Sequence, residues 1–322
     1  MSLTPSADAA DVAAATARRH LLNGDGHLGP AQRVAYLLLN ARRNRLPYSH
    51  VDSELTIVDF HCAMALERLD ELPGTPSPSR ALSDLFWMHL PWQRMVRELG
   101  PLHVLDLGCG SGQYGERLPR WSEGRIVRYV GVDLEAHRDW PRLVSNRSSV
   151  EFHAGNIEDI DRLMPADTNV IVSQSAMEHV TNDMRVFEHV HAYAHRAGRP
   201  LLQIHLLPSA ACLWLYLWHG YRQYTPRRLT PITTLFADCS QRLLVQLGGS
   251  ACNALHLRWI TWPVLVRRTV DPRDLQTTEY RRVLAKAIAE DMRRPQLSPA
   301  FYALLVQSNV KHEALTTAWW TP

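Results

Sequence analysis

Two short stretches of this 322-residue chain end an apolar run on an acid, and the first adds glycines at alternate positions. Val104–Leu–Asp–Leu–Gly–Cys–Gly–Ser–Gly–Gln113 places Asp106 ahead of Gly108, Gly110 and Gly112, and Tyr129–Val–Gly–Val–Asp133 closes on a second carboxylate. Such an apolar run reads as a buried parallel strand, and glycines just past it permit a tight turn and a ligand's close approach to the backbone. In an open α/β sheet ligands sit outside the carboxyl ends of the strands, where both acids would stand. The chemistry is that of a nucleotide-like ligand, with two readings. Gly110–Ser–Gly–Gln–Tyr–Gly115 fits G-x-G-x-x-G, which seats a dinucleotide's pyrophosphate at a helix N-terminus and would leave Asp133 for a ribose. That fingerprint, however, starts straight after its strand, whereas Asp–Leu–Gly–Cys intervenes here. Asp106 would also repel a pyrophosphate while suiting a cationic group.

Further chemistry-bearing residues follow. Asn169–Val–Ile–Val–Ser–Gln–Ser–Ala–Met–Glu–His–Val180 passes from an apolar run into a polar loop containing His179. Imidazole titrates near neutral pH, so His179 is the candidate general base; its alternative role is to order the loop. Residues 206–227 concentrate aromatic side chains, with Trp214, Trp218, Tyr221 and Arg222 at near-helical spacing and His219 and Tyr224 among them. Aromatic faces stack on sugar or ring substrates and also serve as core; Trp214 reads as core. The run lacks the strongly basic face of an interfacial helix. His191 and His195 lie one helical turn apart, but spacing offers no third ligand, so with His189 they read as a solvated helix face and no metal is expected.

Together these residues resemble the cofactor site of the class I S-adenosylmethionine-dependent methyltransferases, over roughly residues 80–245. The family's acid-x-Gly-x-Gly-x-Gly pattern falls on Asp106, Gly108, Gly110 and Gly112, and its second-strand acid on Asp133. The resemblance implies S-adenosyl-L-methionine as cofactor. Asp106 would face its amino group, and Asp133, with Leu134 beside it, would accept hydrogen bonds from both ribose hydroxyls. Asn156 and Ile157 would meet the adenine, and Ser173 and Gln174 would lie near the transferred methyl. The chain departs from the family in placing Asn156 at a usual aspartate, and Asn156 also reads as an ordinary helix cap. His219, Tyr224, Thr225 and Pro226 resemble a pattern of small-molecule and glycan methyltransferases, which implies His219, Tyr221 and Tyr224 as acceptor-binding residues. The implied activity is methyl transfer to an oxygen or nitrogen of a small molecule or sugar in glycan or natural-product biosynthesis. The alternatives are an NAD(P)-dependent oxidoreductase and a non-catalytic methyltransferase-like partner protein.

The elements that must position these residues alternate. Strands are expected at 103–107, 127–133, 150–153, 168–174, 200–206, 243–247 and 301–307, with helices between most of them. This pattern argues an α/β, doubly wound, mostly parallel sheet; the resemblance implies seven strands with the last antiparallel. Residues 1–79 read as a helical N-terminal extension or lid, with helices at 8–20, 31–40 and 53–69 and a frayed start over 1–30. The proline-dense Pro73–Ser79 is a linker, followed by a helix over 80–99 kinked at Pro91. Residues 80–322 form the methyltransferase-like domain, with an insertion at about 250–298 that is partly helical around 277–292.

Composition excludes several classes. Hydrophobic residues make up 46% and charged residues 21%, enough for a core. A net charge of +3, with lysine only at 286 and 311, gives no basic stripe, so no nucleic-acid partner is expected. Cysteines 62, 109, 212, 239 and 252 are scattered without a Cys-x-x-Cys pair, which fits a reducing cytosol. Met1 to Ala15 lacks a signal peptide's pattern, and 201–218 is interrupted by Gln203, His205 and Pro208. A cytoplasmic enzyme without stable membrane insertion is expected, with a homodimer open to it.

Overall fold

The computed structural model describes residues 22–45, 50–61, 63–238 and 240–310; the helix expected over 8–20 lies outside them. Its centre is a sheet of β1 (Leu55–Asp59), β2 (Leu102–Leu107), β3 (Ile126–Asp133), β4 (Val150–Ala154), β5 (Val170–Gln174), β6 (Leu201–Pro208), β7 (Ser240–Leu247) and β8 (Phe301–Ser308). The order is β1-β7-β8-β6-β5-β2-β3-β4. All neighbours run parallel except β8, which is antiparallel to both β6 and β7. This is the doubly wound sheet expected, with Phe301–Ser308 in the reversed position.

The sheet has eight strands instead of seven. Leu55–Asp59, expected inside a helix over 53–69, pairs with β7, Ile57 opposite Leu244. Leu55 and Val58 would share a face of a helix but fall on opposite faces of a strand, where Leu55 joins one core and Val58 packs against the other. Thr56, Ile57 and Val58 are β-branched in succession, which favours a pleated strand once a free edge is available. A 3-10 helix, Ala63–Glu71, follows.

Helices α1 (Pro30–Arg45), α2 (Pro78–Met88), α3 (Trp92–Leu99), α4 (Tyr114–Trp121), α5 (Trp140–Asn146), α6 (Asp183–Ala197), α7 (Cys212–Leu215), α8 (Pro226–Leu235), α9 (Ser250–His256), α10 (Pro272–Leu275) and α11 (Thr277–Asp291) accompany the sheet, with 3-10 helices at Ile157–Arg162 and Met177–His179 and a π-helix over Leu257–Val266. The helix expected over 80–99 is two, because Pro91 ends it instead of bending it. α2 starts on the Ser77 cap, whose side chain accepts from Arg80 N, with Pro78 at the first turn. Every α2 residue except Arg80 is buried, the polar Ser79, Ser83 and Asp84 included. Period two divides β2 between the layers: Leu102 and Val104 join the core under α2 and α3, Leu105 and Leu107 the core on the opposite face.

The loop after β2 is pinned to β3, since Gly108 N and Cys109 N both donate to Val132 O, at 2.8 and 3.1 Å. Gly108 has φ +74, and a Cβ there would lie 2.4 Å from the Ala176 Cβ. Gly108→Ala combines a left-handed backbone with an overlap in a packed site and is expected to cost about 2–4 kcal/mol. Urea unfolding checks this; wild-type stability in the variant would contradict the packing described.

Candidate active site

The strand order reverses between β2 and β5, so their carboxyl ends form the crevice where open α/β sheets bind ligands. Asp106 belongs to the end of β2 and Gln174 closes β5. Asp106 is 1% exposed. The Tyr129 hydroxyl donates to its Oδ2, while its Oδ1 has no hydrogen-bond partner. Burial pushes this carboxyl up to about 7, against the hydrogen bond from Tyr129 that pulls it down. A bare, buried carboxylate oxygen is costly unless a donor or cation reaches it.

A cavity of about 490 Å³ opens at this point, with Asp106, Gly110, Ser111 and Gln174 along its floor and Arg80 and Asp84 from α2 on another wall. Gly110 has φ +54, and nothing stands within 4 Å of where its Cβ would be, so a ligand can reach the backbone. Asp133 takes Gly110 N on Oδ2 at 2.7 Å and Leu134 N on Oδ1 at 2.8 Å. Each oxygen keeps further acceptor capacity. Leu134 is 67% exposed beside it. The α2 wall is tied by Arg80 Nη1 donating to the Tyr114 hydroxyl, 2.7 Å, and that hydroxyl donating to Asp84 Oδ1, 2.6 Å. Burial raises the Asp84 carboxyl; Tyr114, Arg117 and Arg80 oppose the shift.

A second cavity, about 290 Å³, shares Arg80, Gln174 and Ser175 with the first. His179 and His219 stand at its wall, with ring centroids 4.6 Å apart. Asp25 holds both: its Oδ2 accepts from His179 Nδ1 at 2.7 Å and Gly220 N at 2.9 Å, and its Oδ1 pairs with His219 Nδ1 at 3.1 Å. Partial burial opposes charge on Asp25, but the two imidazoles hold its carboxyl far below the ordinary carboxylate range. Burial likewise pulls His179 down, and is outweighed by its hydrogen bond to Asp25 and the charge of Glu178, so its net shift is upward. Asp25 can reach this wall because its segment is docked. Gly24 N donates to Gly220 O at 2.7 Å, and a Cβ on Gly24 would meet His219 N at 2.2 Å. From α1, the Tyr36 hydroxyl donates to His219 O at 2.7 Å.

Other expected residues lie elsewhere. Ser173 is wholly buried against His205 Nδ1, 2.9 Å away, and lines neither cavity. Gln174 lines both, its Oε1 fixed by Trp87 Nε1 at 2.7 Å. Asn156 is exposed, and its Oδ1 caps Ile157–Arg162 through Glu158 N at 2.9 Å. Ile157 is 8% exposed and packs in the core. Tyr224, expected at the acceptor, lines neither cavity. It is 2% exposed in the core on the opposite face of the sheet from α2, with its hydroxyl donating to Asp183 Oδ2 at 2.9 Å. The chain returns beside β6 here, Tyr224 N donating to Pro208 O, and this turns the ring inward. Tyr221 lines neither cavity and lies under the Arg222 guanidinium. Trp214, read as core, is 49% exposed. His191 and His195 do have a third group, Asp238, at 3.3 and 3.0 Å.

Asp25, Arg80 and Asp84 were not legible as site residues. Asp25 falls in a stretch read as frayed, although Asn23–Gly–Asp–Gly26 is turn-forming composition. For Arg80 and Asp84 a signal existed: two opposite charges four residues apart on a helix with no other charge.

A family model described as a methyltransferase domain matches residues 104–198, from β2 to just past α6. No curated protein matches the chain. The solved plantazolicin methyltransferase BamL, in complex with a triazolic desmethylPZN analog and SAH, is 14% identical, with 86% of this chain and 97% of that one covered and a TM-score of 0.43. The bifunctional kinase-methyltransferase WbdD is 18% identical, with 76% and 46% covered and a TM-score of 0.40, so the chain spans under half its length. An S-adenosylmethionine dependent methyltransferase from Mesorhizobium loti is 16% identical, with 67% and 95% covered and a TM-score of 0.38. Residues 104–198, which carry the acid-and-glycine loop and the point where the strand order reverses, match a methyltransferase domain.

Proposed function

We propose that this protein transfers a methyl group from S-adenosylmethionine to an oxygen or nitrogen of a small molecule or sugar held in the cavity walled by His179 and His219. The observation that carries the donor half is the unpartnered, buried Oδ1 of Asp106 at the glycine loop. It suits the cationic amino group of the donor and opposes a dinucleotide's pyrophosphate. The open space over Gly110 and the paired oxygens of Asp133 at the next strand end fit a nucleoside.

S-adenosylmethionine, when bound, supplies an electrophilic methyl on a sulfonium. The chain's own contribution is placement. Asp106 anchors the amino group, Asp133 orients the ribose, and Gln174, locked by Trp87, stands where the two cavities meet. Holding two reactants at attack distance in a water-poor site is worth up to about 7–11 kcal/mol in favourable cases. The acceptor's proton is drawn off at the Nε2 side of His179, whose Nδ1 is anchored by Asp25. The half-buried rings of Tyr216 and His219, 5.5 Å apart by centroid, offer a ring or sugar acceptor a partly aromatic wall. No helix among the described residues is long and apolar enough to cross a membrane.

Two outcomes follow. Affinity for S-adenosylhomocysteine should fall as pH drops below about 7, where Asp106 takes up its proton, and Asp106→Asn should bind weakly with that dependence removed. Calorimetry across pH checks this; an unchanged slope in the variant would contradict it. The His179 imidazole must be neutral to draw a proton and is shifted above its ordinary 6.5. kcat/KM should therefore rise with pH through a value above that, and His179→Ala should lose this limb with about a 10²–10⁴-fold fall in kcat. A flat profile shared by both proteins would remove His179 from proton transfer.

A further inference from the structure

Asp25 receives the Nδ1 side of both imidazoles, which leaves both Nε2 atoms with lone pairs. Those atoms converge on a third electron-rich group. Glu178 Oε1 lies 3.8 Å from His179 Nε2 and 3.9 Å from His219 Nε2. Glu178 is wholly buried; Oε1 takes Ser175 Oγ at 2.5 Å, and Oε2 has no hydrogen-bond partner. Two imidazole lone pairs and a buried carboxylate repel one another unless positive charge stands among them. At these separations a proton on either nitrogen would form no proper hydrogen bond to Glu178. A metal ion bonded to each ligand at roughly 2.1 Å spans atoms somewhat under about 4 Å apart. The carboxylate behind both rings is also what metal-binding histidines use to fix tautomer and orientation.

We propose that His179 Nε2, His219 Nε2 and the Glu178 carboxylate form a site for one divalent transition-type cation, with Asp25 positioning the two imidazoles. Mixed nitrogen and oxygen ligands suit Zn²⁺, Mn²⁺, Fe²⁺ or Co²⁺ better than Mg²⁺ or Ca²⁺. The two carboxylates match the charge of a dication. This departs from the sequence-based expectation of no metal, because Asp25 and His219 reach His179 only through the fold. The site is independent of the methyltransferase reading. Its use rests on that reading: an occupied site takes the His179 Nε2 lone pair, so the cation would then act in place of His179 as base, holding the acceptor oxygen on the cavity side and easing loss of its proton to solvent.

The test uses the chelator-stripped full chain titrated with Co²⁺, followed by visible absorption and by metal analysis after gel filtration. One equivalent should be retained per chain. Retention should survive the His191→Ala, His195→Ala double variant, which removes the rival His191–His195–Asp238 cluster. It should be lost in His219→Ala and weakened about 10–100-fold in Asp25→Asn, as expected for an outer carboxylate. Calorimetry with S-adenosylhomocysteine on the same samples confirms that His219→Ala is folded and reports the donor site separately. No cobalt uptake by wild type, or uptake that survives His219→Ala, overturns the proposal. Cobalt uptake lost in His219→Ala, with no S-adenosylhomocysteine binding by any sample, upholds the site and refutes the methyltransferase reading; circular dichroism then reports folding.

Discussion

The hydrogen bond from Tyr129 to Asp106 fixes one carboxylate oxygen and leaves the other bare at the point where the sheet changes direction. Much of the surrounding packing supports that arrangement. Tyr129 is wholly buried and meets Phe152 edge-on at 6.0 Å, and Phe152 stacks on Trp140 at 5.1 Å and 13°. Trp140 Nε1 in turn donates to Gly110 O at 2.9 Å. A Cβ at Gly112 would strike Phe152 at 2.5 Å, and one at Gly131 would meet it at 2.7 Å. The glycines thus let the loop lie on an aromatic shelf, and the shelf holds the loop beside the acid.

The second cavity depends on a different constraint. Its histidines come from the loop after β5 and from the turn before α8, and neither loop alone sets their angle. Asp25 does so from outside, reaching in because Gly24 and α1 pack on residues 218–220. The N-terminal residues therefore contribute to the sheet through β1 and to the second cavity through Asp25.

The glycine-loop half of the site was legible because its determinants are local. A strand, an acid and three glycines lie within ten residues, and period and turn chemistry read directly from them. Asp133 follows by the same logic one strand on. Long-range geometry is what escaped. Tyr224 and His219 are five residues apart, but the turn beside Pro208 sends one ring into the core and leaves the other at a cavity wall. β1 escaped because Leu55 and Val58 have helical spacing, and only a strand covered on both faces beside the free edge of β7 uses them otherwise. Asp25 escaped because turn composition shows where the chain bends, not what it bends against.

The most direct measurement is calorimetric titration of the purified chain with S-adenosylhomocysteine and, separately, with NADH, repeated in Asp133→Ala. Stoichiometric binding of S-adenosylhomocysteine alone, with affinity reduced at least about tenfold in the variant, an effect of about 1.4 kcal/mol, is the predicted result. Binding of NADH in its place, or S-adenosylhomocysteine binding that Asp133→Ala leaves unchanged, would contradict the account.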